Sequence, residues 1–330
     1  MTESFCGKEL PDTWPKTVYK AQPLGFCAGV VRSVEAYQRV VDKNPGRRIF
    51  SVGQPAHNDN VNQGFEDQGV VFVDSIKDVD QTGIALLGPH GSEIEELQYA
   101  IEHNIEFIDT VCPLVKKVDE EIDELLDLGY TIVYFGKKGH QETKGILSHD
   151  KKGGRIILIQ SAEELDKIEV DDPEKIAFNS QTTLAADKVI EMQKRAKEKW
   201  PNIKIPRISD VCYATQNRQD ALRMIIEKGT QIVVILGSET SSNGKELKNI
   251  AMEKRAQVLY VNDATELNRN SFRGFQTVGL NAAASVSDED VMGVEKFFLD
   301  NFGAEIITVS VADESRIRFA KPEIQNPKSS

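Results

Sequence analysis

The sequence lacks any uninterrupted apolar run approaching the roughly 18 to 20 residues needed to cross a bilayer, which excludes a transmembrane helix. Residues 1–17 lack both an apolar signal core and an Arg/Ser-rich transit composition and carry Glu3, Glu9 and Asp12 instead, so the expectation is a soluble, cytoplasmic protein. Basic charge is in deficit: 40 Lys and Arg against 52 Asp and Glu leave a net charge of −12. Nucleic acid or an anionic membrane would be repelled over most of such a surface, so neither is expected as a partner. Cysteine is scarce as well. Four in 330 residues give no disulfide framework and no Cys-x-x-Cys pair, and in a reducing compartment they stay thiols or bind metal. No Gly-x-Gly-x-x-Gly fingerprint for a bound flavin or nicotinamide is present.

What is present is a threefold repetition. Cys6 lies in a polar, proline-flanked extension and is read as incidental. Cys27, Cys112 and Cys212 each follow a short extended segment (19–26, 105–111 and 205–211) and precede an amphipathic helical stretch (30–42, 114–128 and 217–228). An apolar strand ending in Gly53, Gly136 or Gly237 comes next, 26, 24 and 25 residues after its cysteine. Further strands are expected at 70–74, 155–160 and 257–262, and at 84–88, 175–179 and 276–281. Strands of short apolar runs alternating with helices imply mostly parallel sheets covered by helices. The expected fold is therefore α/β, with three similar units around a pseudo-threefold axis and a central metal site. The expected segments are an extension at 1–16, units at 17–111, 112–211 and 212–300, and a C-terminal segment at 301–330.

In open α/β sheets ligands bind beyond the carboxyl ends of the strands, so equivalent strand-end positions are the candidates for chemistry. Past the glycine-ended strand lie His57, His140 and Ser241-Ser242-Asn243, at 30, 28 and 29 residues from their cysteines. Past the last strand of each unit lie His90, Thr182 with Thr183, and Ser285, at 63, 70 and 73. A lone cysteine after a strand is more often a small buried hydrophobe than a ligand, but three at equivalent places point to one shared site. Thiolate softness suits an iron–sulfur cluster, and spacing alone leaves zinc open. The histidines, serines and Asn243 form a set of neutral or weakly cationic donors suited to phosphate oxygens. Ser-Ser-Asn also reads as a helix cap, and a cap presents a helix N-terminus to an anion. Glu142, two residues past His140, is a candidate proton donor with a pKa raised by burial. His103 and His149 are assigned no role.

Taken in order, these segments resemble the 4-hydroxy-3-methylbut-2-enyl diphosphate reductase family, the last enzyme of the non-mevalonate isoprenoid pathway. The matching residues are Gly25-Phe26-Cys27-Ala28-Gly29-Val30, His57-Asn58, His90-Gly91, Cys112-Pro113-Leu114-Val115, Gly139-His140 with Glu142 and Gly145, Gln181-Thr182-Thr183, Cys212-Tyr213-Ala214-Thr215, Asn217-Arg218-Gln219, Ser241-Ser242-Asn243 and Ala284-Ser285. The resemblance implies one [4Fe–4S] cluster per chain on Cys27, Cys112 and Cys212, with one iron free of protein ligands to meet the substrate's allylic hydroxyl. Two electrons and two protons would remove that oxygen as water, giving isopentenyl and dimethylallyl diphosphates. By the same resemblance His57, His90, His140, Thr182, Ser241, Ser242, Asn243 and Ser285 bind substrate. Glu142 supplies protons, Thr182 helps position it, and His140 takes part in catalysis. A ferredoxin or flavodoxin is the implied electron donor, with Lys137, Lys138, Lys151, Lys152 and Arg155 as a candidate docking patch. Three places depart from the family pattern: Ala283 where glycine is usual, Ser287 where proline is common, and Gly88-Pro89 where Ser-Ala is expected. Two alternatives stand beside this reading: a three-cysteine dehydratase resembling quinolinate synthase, which needs no external electrons, and an iron–sulfur redox sensor.

Overall fold

The computed structural model describes residues 11–152, 155–206 and 209–325, so Cys6 lies outside it. The chain begins with β1 (Thr17–Gln22), α1 (Ala28–Lys43), β2 (Ile49–Val52), α2 (Asp59–Asp67), β3 (Val70–Val73), β4 (Ile84–Leu87), α3 (Ile94–Glu102) and β5 (Glu106–Asp109). It continues with α4 (Pro113–Asp127), β6 (Thr131–Phe135), α5 (Gln141–Ser148), β7 (Arg155–Ile159), α6 (Ala162–Lys167), β8 (Ile176–Ser180) and α7 (Ala186–Lys199). Then come α8 (Tyr213–Glu227), β9 (Ile232–Leu236), α9 (Ser242–Glu253), β10 (Gln257–Val261), β11 (Thr277–Ala282), α10 (Asp288–Phe302), β12 (Glu305–Ser310) and β13 (Ile324–Gln325).

Three sheets result, with strand orders β10-β9-β11-β1-β12, β13-β5-β4-β2-β3 and β7-β6-β8, and every pair is parallel except β13 with β5. Three mostly parallel sheets fit the expected three similar α/β units. The apolar runs are continuous because both faces of a sheet are covered. In β2 and β4, Ile49, Ile84 and Leu86 join Tyr37 and Val40 of α1 in one core. Their neighbours Phe50, Ala85 and Leu87 join Ile76 and Ala100 in another. The β6 sheet repeats this: Ile132 and Tyr134 pack with Val118 and Ile122 of α4, whereas Val133 and Phe135 share a core with Val189 and Met192 of α7.

Two expectations need correction. No strand forms over the described part of 205–211; instead Lys204 makes a single bridge to Ala177 at the edge of β8. Pro206 lacks the N–H that would continue a ladder, which accounts for the loss. Secondly, β1 does not pair within 17–111. It lies between β11 and β12, and the compact units are residues 1–25 with 217–314 and residues 26–216 with 315–330. Each cysteine consequently marks a crossing from one sheet to the next rather than the middle of one repeat. Cys27 follows β1 and precedes α1, which packs on the β2 sheet. Cys112 follows β5 of that sheet and precedes α4, which packs on the β6 sheet. Cys212 follows the segment bridged to β8 and precedes α8, whose Ile225 packs against Gly279 of β11.

Arg218 of α8 is fully buried and donates to the Gly25 carbonyl oxygen at 2.6 and 3.2 Å and to the Glu314 carboxylate at 3.2 Å. Asn217 Nδ2 donates to the same carboxylate at 2.9 Å. Gly25, Asn217 and Glu314 are the three points at which the chain leaves the 217–314 unit, so one guanidinium ties all of them. Arg218→Met leaves the part-buried Glu314 carboxylate with Asn217 Nδ2 as its remaining side-chain donor among the described residues and removes both donors from the Gly25 carbonyl, and the unfolding free energy should fall by about 1.5–3 kcal/mol. Urea titration followed by circular dichroism checks this.

Candidate active site

All three cysteines, three histidines, Glu142 and Thr182 belong to the unit of residues 26–216. Each cysteine stands at a helix start: Cys27 and Cys112 are the N-caps of α1 and α4, and Cys212 immediately precedes α8. The amide groups there face sulfur. The N–H groups of Leu114 and Val115 bond Cys112, those of Ala214 and Thr215 bond Cys212, and the Thr215 hydroxyl lies 3.9 Å from Cys212 Sγ. Helix N-termini favour thiolate over thiol. Burial opposes them and wins, pushing Cys112 up to about 12 and Cys212 to about 11, and the neighbouring Cys27 raises both further. Sulfurs that raise one another's pKa share a common field, and a positively charged metal group would reverse that cost.

Gly29 shows how tightly this space is shaped. A Cβ there would stand 2.8 Å from Cys112 Sγ and 3.8 Å from Cys27 Sγ. Only glycine lets α1 start between the two thiols. Among the described residues no three His, Cys, Asp or Glu side chains are gathered around a point as ligands of a single ion would be.

Glu142 lies in the first turn of α5 and is 1% exposed. Its carboxyl accepts the Thr182 backbone N–H and the Thr182 hydroxyl, both at 2.8 Å. The Thr182 carbonyl accepts the Cys212 N–H at 3.0 Å, so the acid and a cysteine hang from one residue. Burial pushes Glu142 up to about 8, the two bonds from Thr182 oppose this, and the carboxylates of Asp119 and Asp210 add to it. Glu142 therefore keeps its proton at neutral pH.

The three imidazoles form a cluster. His57 stacks on His90 with centroids 4.2 Å apart, and His140 meets the two rings edge-on at 6.1 and 5.9 Å. Burial lowers His57 and His140 to about 4, and burial with the two neighbouring rings takes His90 well below its usual value. All three are neutral at pH 7. His140 caps α5 by accepting the Glu142 N–H on Nδ1 at 3.2 Å, so its proton sits on Nε2, which is buried without a hydrogen-bond partner. A neutral donor thus faces a space that offers it no acceptor. The two unassigned histidines have local partners, His103 on Tyr99 and His149 on Asp123.

Ser241, Ser242, Asn243 and Ser285 lie together in the other unit, and all four are buried. Ser241 caps α9 by accepting the Gly244 N–H at 3.0 Å. Asn243 Oδ1 accepts the Ala284 N–H at 3.0 Å, which leaves its Nδ2, buried and without a hydrogen-bond partner, as a donor next to Ser285 in the chain fold. The departures from the family pattern are absorbed locally. Among the described residues only Asn104 and Arg255 combine a side chain with positive φ, so Ala283 needs no glycine conformation. Ser287 caps α10 through the Asp290 N–H at 3.1 Å. Gly88 is required by close approach, since a Cβ there would lie 2.9 Å from the Gln54 carbonyl oxygen, and the Pro89 carbonyl accepts the Cys112 N–H at 2.9 Å.

Sequence reasoning missed Asp119, whose charge raises Glu142, and Tyr134, whose buried hydroxyl feels the charge of Glu142. A cavity of about 670 Å³ between α4 and β8, bordered by Glu120, Glu121, Glu124, Lys117 and Lys204, contains none of the expected site residues.

The chain matches the family described as LytB protein over residues 18–298. A relative from Leifsonia xyli named 4-hydroxy-3-methylbut-2-enyl diphosphate reductase is 33% identical over 317 residues, covering 96% of this chain and 93% of its own. One of the same name from Wolbachia pipientis of Culex pipiens is 34% identical over 301 residues, covering 91% and 97%. The solved E-1-hydroxy-2-methyl-but-2-enyl-4-diphosphate reductase of Plasmodium falciparum superposes with a TM-score of 0.86 at 25% identity, covering 96% of each chain. Sequence span and fold agree across these comparisons: the chain belongs to the LytB family.

Proposed function

We propose that this chain reduces (E)-4-hydroxy-3-methylbut-2-enyl diphosphate to isopentenyl and dimethylallyl diphosphates, consuming two electrons and two protons and releasing water. The observation that carries this reading is the bonded series Glu142–Thr182–Cys212, which sets a protonated acid one residue from a metal-binding thiol. Cys27, Cys112 and Cys212 would hold a [4Fe–4S] cluster, three thiolates leaving one iron without a protein ligand. The donor set fits the cluster: soft sulfur ligands at helix N-termini, and a glycine where any Cβ would intrude. When bound, the group supplies electrons one at a time.

The chain's own residues do the rest. Glu142 gives a proton to the departing oxygen, and Thr182 holds the acid in place through its hydroxyl and amide. His57, His90 and His140, neutral and desolvated, donate to the diphosphate, as do Ser241, Ser242, Asn243 and Ser285 with the N-terminus of α9. A ferredoxin or flavodoxin delivers the electrons, with Lys137, Lys138 and Arg155 offering a basic docking area beside the β6 loop.

Protein isolated without oxygen should be brown, carry about four irons per chain, and consume the allylic diphosphate when given a strong one-electron reductant. Its electron-resonance spectrum should change on substrate addition. Colourless protein with zinc in place of iron, or turnover that needs no reductant, would overturn the assignment.

A further inference from the structure

The cysteine site depends on where Cys112 is held, and Arg32 is bonded to the backbone that leads into it. Arg32 lies on α1, five residues past Cys27, and is half-buried. Its Nη1 donates to the Thr110 carbonyl at 2.8 Å and to the Val111 carbonyl at 2.9 Å. The other ends of the same two peptide groups are also taken. The Val111 N–H donates to Asp109 Oδ1 at 2.9 Å, and the Cys112 N–H to the Pro89 carbonyl at 2.9 Å. A peptide group is planar, so a bond at each end fixes its orientation. Two successive groups fixed in this way leave the Cys112 backbone little freedom. A second contact from α1 acts on the same turn: Ser33 Oγ and Thr110 Oγ1 are 3.0 Å apart, and both residues are fully buried.

Arg32 is itself held from behind. Its Nε donates to the Ala320 carbonyl at 2.7 Å. Beyond Ala320 the Pro322 carbonyl accepts Arg39 Nη2, and β13 pairs antiparallel with β5, with Ile324 opposite Ile108. The segment 320–325 thus joins α1, which starts just after Cys27, to β5, which ends three residues before Cys112. All of these residues belong to one compact unit.

We propose that Arg32 is a positioning residue of the cysteine site: its guanidinium, set by the C-terminal segment, clamps the Thr110–Cys112 backbone and so keeps Cys112 at its distance from Cys27 across Gly29. The inference rests on the reductase reading given above. The spacing it guards is narrow, since a Cβ on Gly29 would stand 2.8 Å from one sulfur and 3.8 Å from the other. A guanidinium suits the task because its planar fork reaches several acceptors in fixed directions, whereas an ammonium is a single point of charge. Its charge also lies on the side of the thiol: burial lowers the Arg32 pKa, and the negative charges of Asp109 and Cys112 oppose this. A fixed cation beside a ligating sulfur favours an added electron at the metal.

The test compares Arg32→Met and Arg32→Lys with the unmodified full chain, all loaded with cluster. Hydrogen exchange of the Val111 and Cys112 amides should quicken about ten- to a hundredfold in Arg32→Met, as the loss of bonds from a charged donor implies, while the amides of β6 keep their rates. Iron release to a chelator should quicken with it. At a fixed poise the ratio of reduced to oxidised cluster should fall about tenfold, which is about 59 mV for a one-electron couple. Arg32→Lys keeps the charge and should recover the potential, but only part of the amide protection. Unchanged exchange at both amides, or faster exchange with iron release and potential at the parent's values, would overturn the clamp and leave the reductase reading standing. Faster exchange throughout the unit with a lowered melting temperature in both variants would overturn it in favour of general stabilisation. An unmodified chain that takes up zinc but no iron would overturn the reductase reading and this role with it.

Discussion

Glu142→Gln should lower the reductase rate by about 10²- to 10⁴-fold while leaving iron content and diphosphate binding intact. Glutamine keeps the shape of the side chain, and its carbonyl oxygen still accepts the Thr182 N–H, so what is removed is the proton. The same loss fixes the pH behaviour. Glu142 gives up its proton near pH 8, and only the protonated form can donate. In the unmodified enzyme kcat/KM should therefore hold below that pH and fall above it, and this limb should vanish in Glu142→Gln. A stability measurement offers an independent check. The folded pKa lies above the unfolded one, near 4.5, so the native state binds the proton more tightly. Between those values this group's contribution to stability falls as pH rises. Glutamine carries no such penalty, and at pH 8 the variant should melt no lower than its parent. A variant that loses activity together with iron, or melts well below the parent, would show Glu142 to be architectural.

Loss of the metal group should follow from either of two substitutions that differ in kind. Cys112→Ala removes one of the three proposed thiolate ligands, and the expected product is pale protein with reductase activity at background. Gly29→Ala removes nothing, yet its new Cβ would lie 2.8 Å from Cys112 Sγ, closer than carbon and sulfur tolerate without bonding. The thiol must move, and iron per chain should drop although all three ligands remain. Iron analysis paired with a melting curve checks this: less iron in a protein that still melts cooperatively is expected. Full iron occupancy in Gly29→Ala would mean that the cysteines are not held at this spacing when loaded.

Much of the site is legible because its chemistry sits at fixed offsets from three cysteines. His57 just before the α2 cap, His140 at the α5 cap and Ser241 at the α9 cap do occupy equivalent strand-to-helix junctions, as their spacings of 30, 28 and 29 residues suggest. Local patterns also give most of the strands and the helices α1, α4 and α8 that follow the cysteines. What the patterns miss is long-range. Nothing local to residues 17–22 says that they pair with 277–282 and 305–310, since a parallel ladder joins segments by shape and burial rather than by a turn that could be read. Asp119 escapes notice for another reason. It is one of 52 acidic residues, and only its place beside the Gly91 turn and the effect of its charge on Glu142 separate it from a solvated helix face. Gly29 is visible as a motif letter, but its reason, a sulfur atom from 83 residues further on, is not.

The placement of β1 between β11 and β12 has a consequence for how the protein is made. β1, an interior strand, leaves the ribosome well before the other strands of its sheet, whose last member, β12, ends at Ser310. Sheets β13-β5-β4-β2-β3 and β7-β6-β8 have nearly all of their strands by residue 180, whereas β1 must wait unpaired through most of synthesis. Such a segment is a natural target for chaperones and an aggregation hazard if translation stalls.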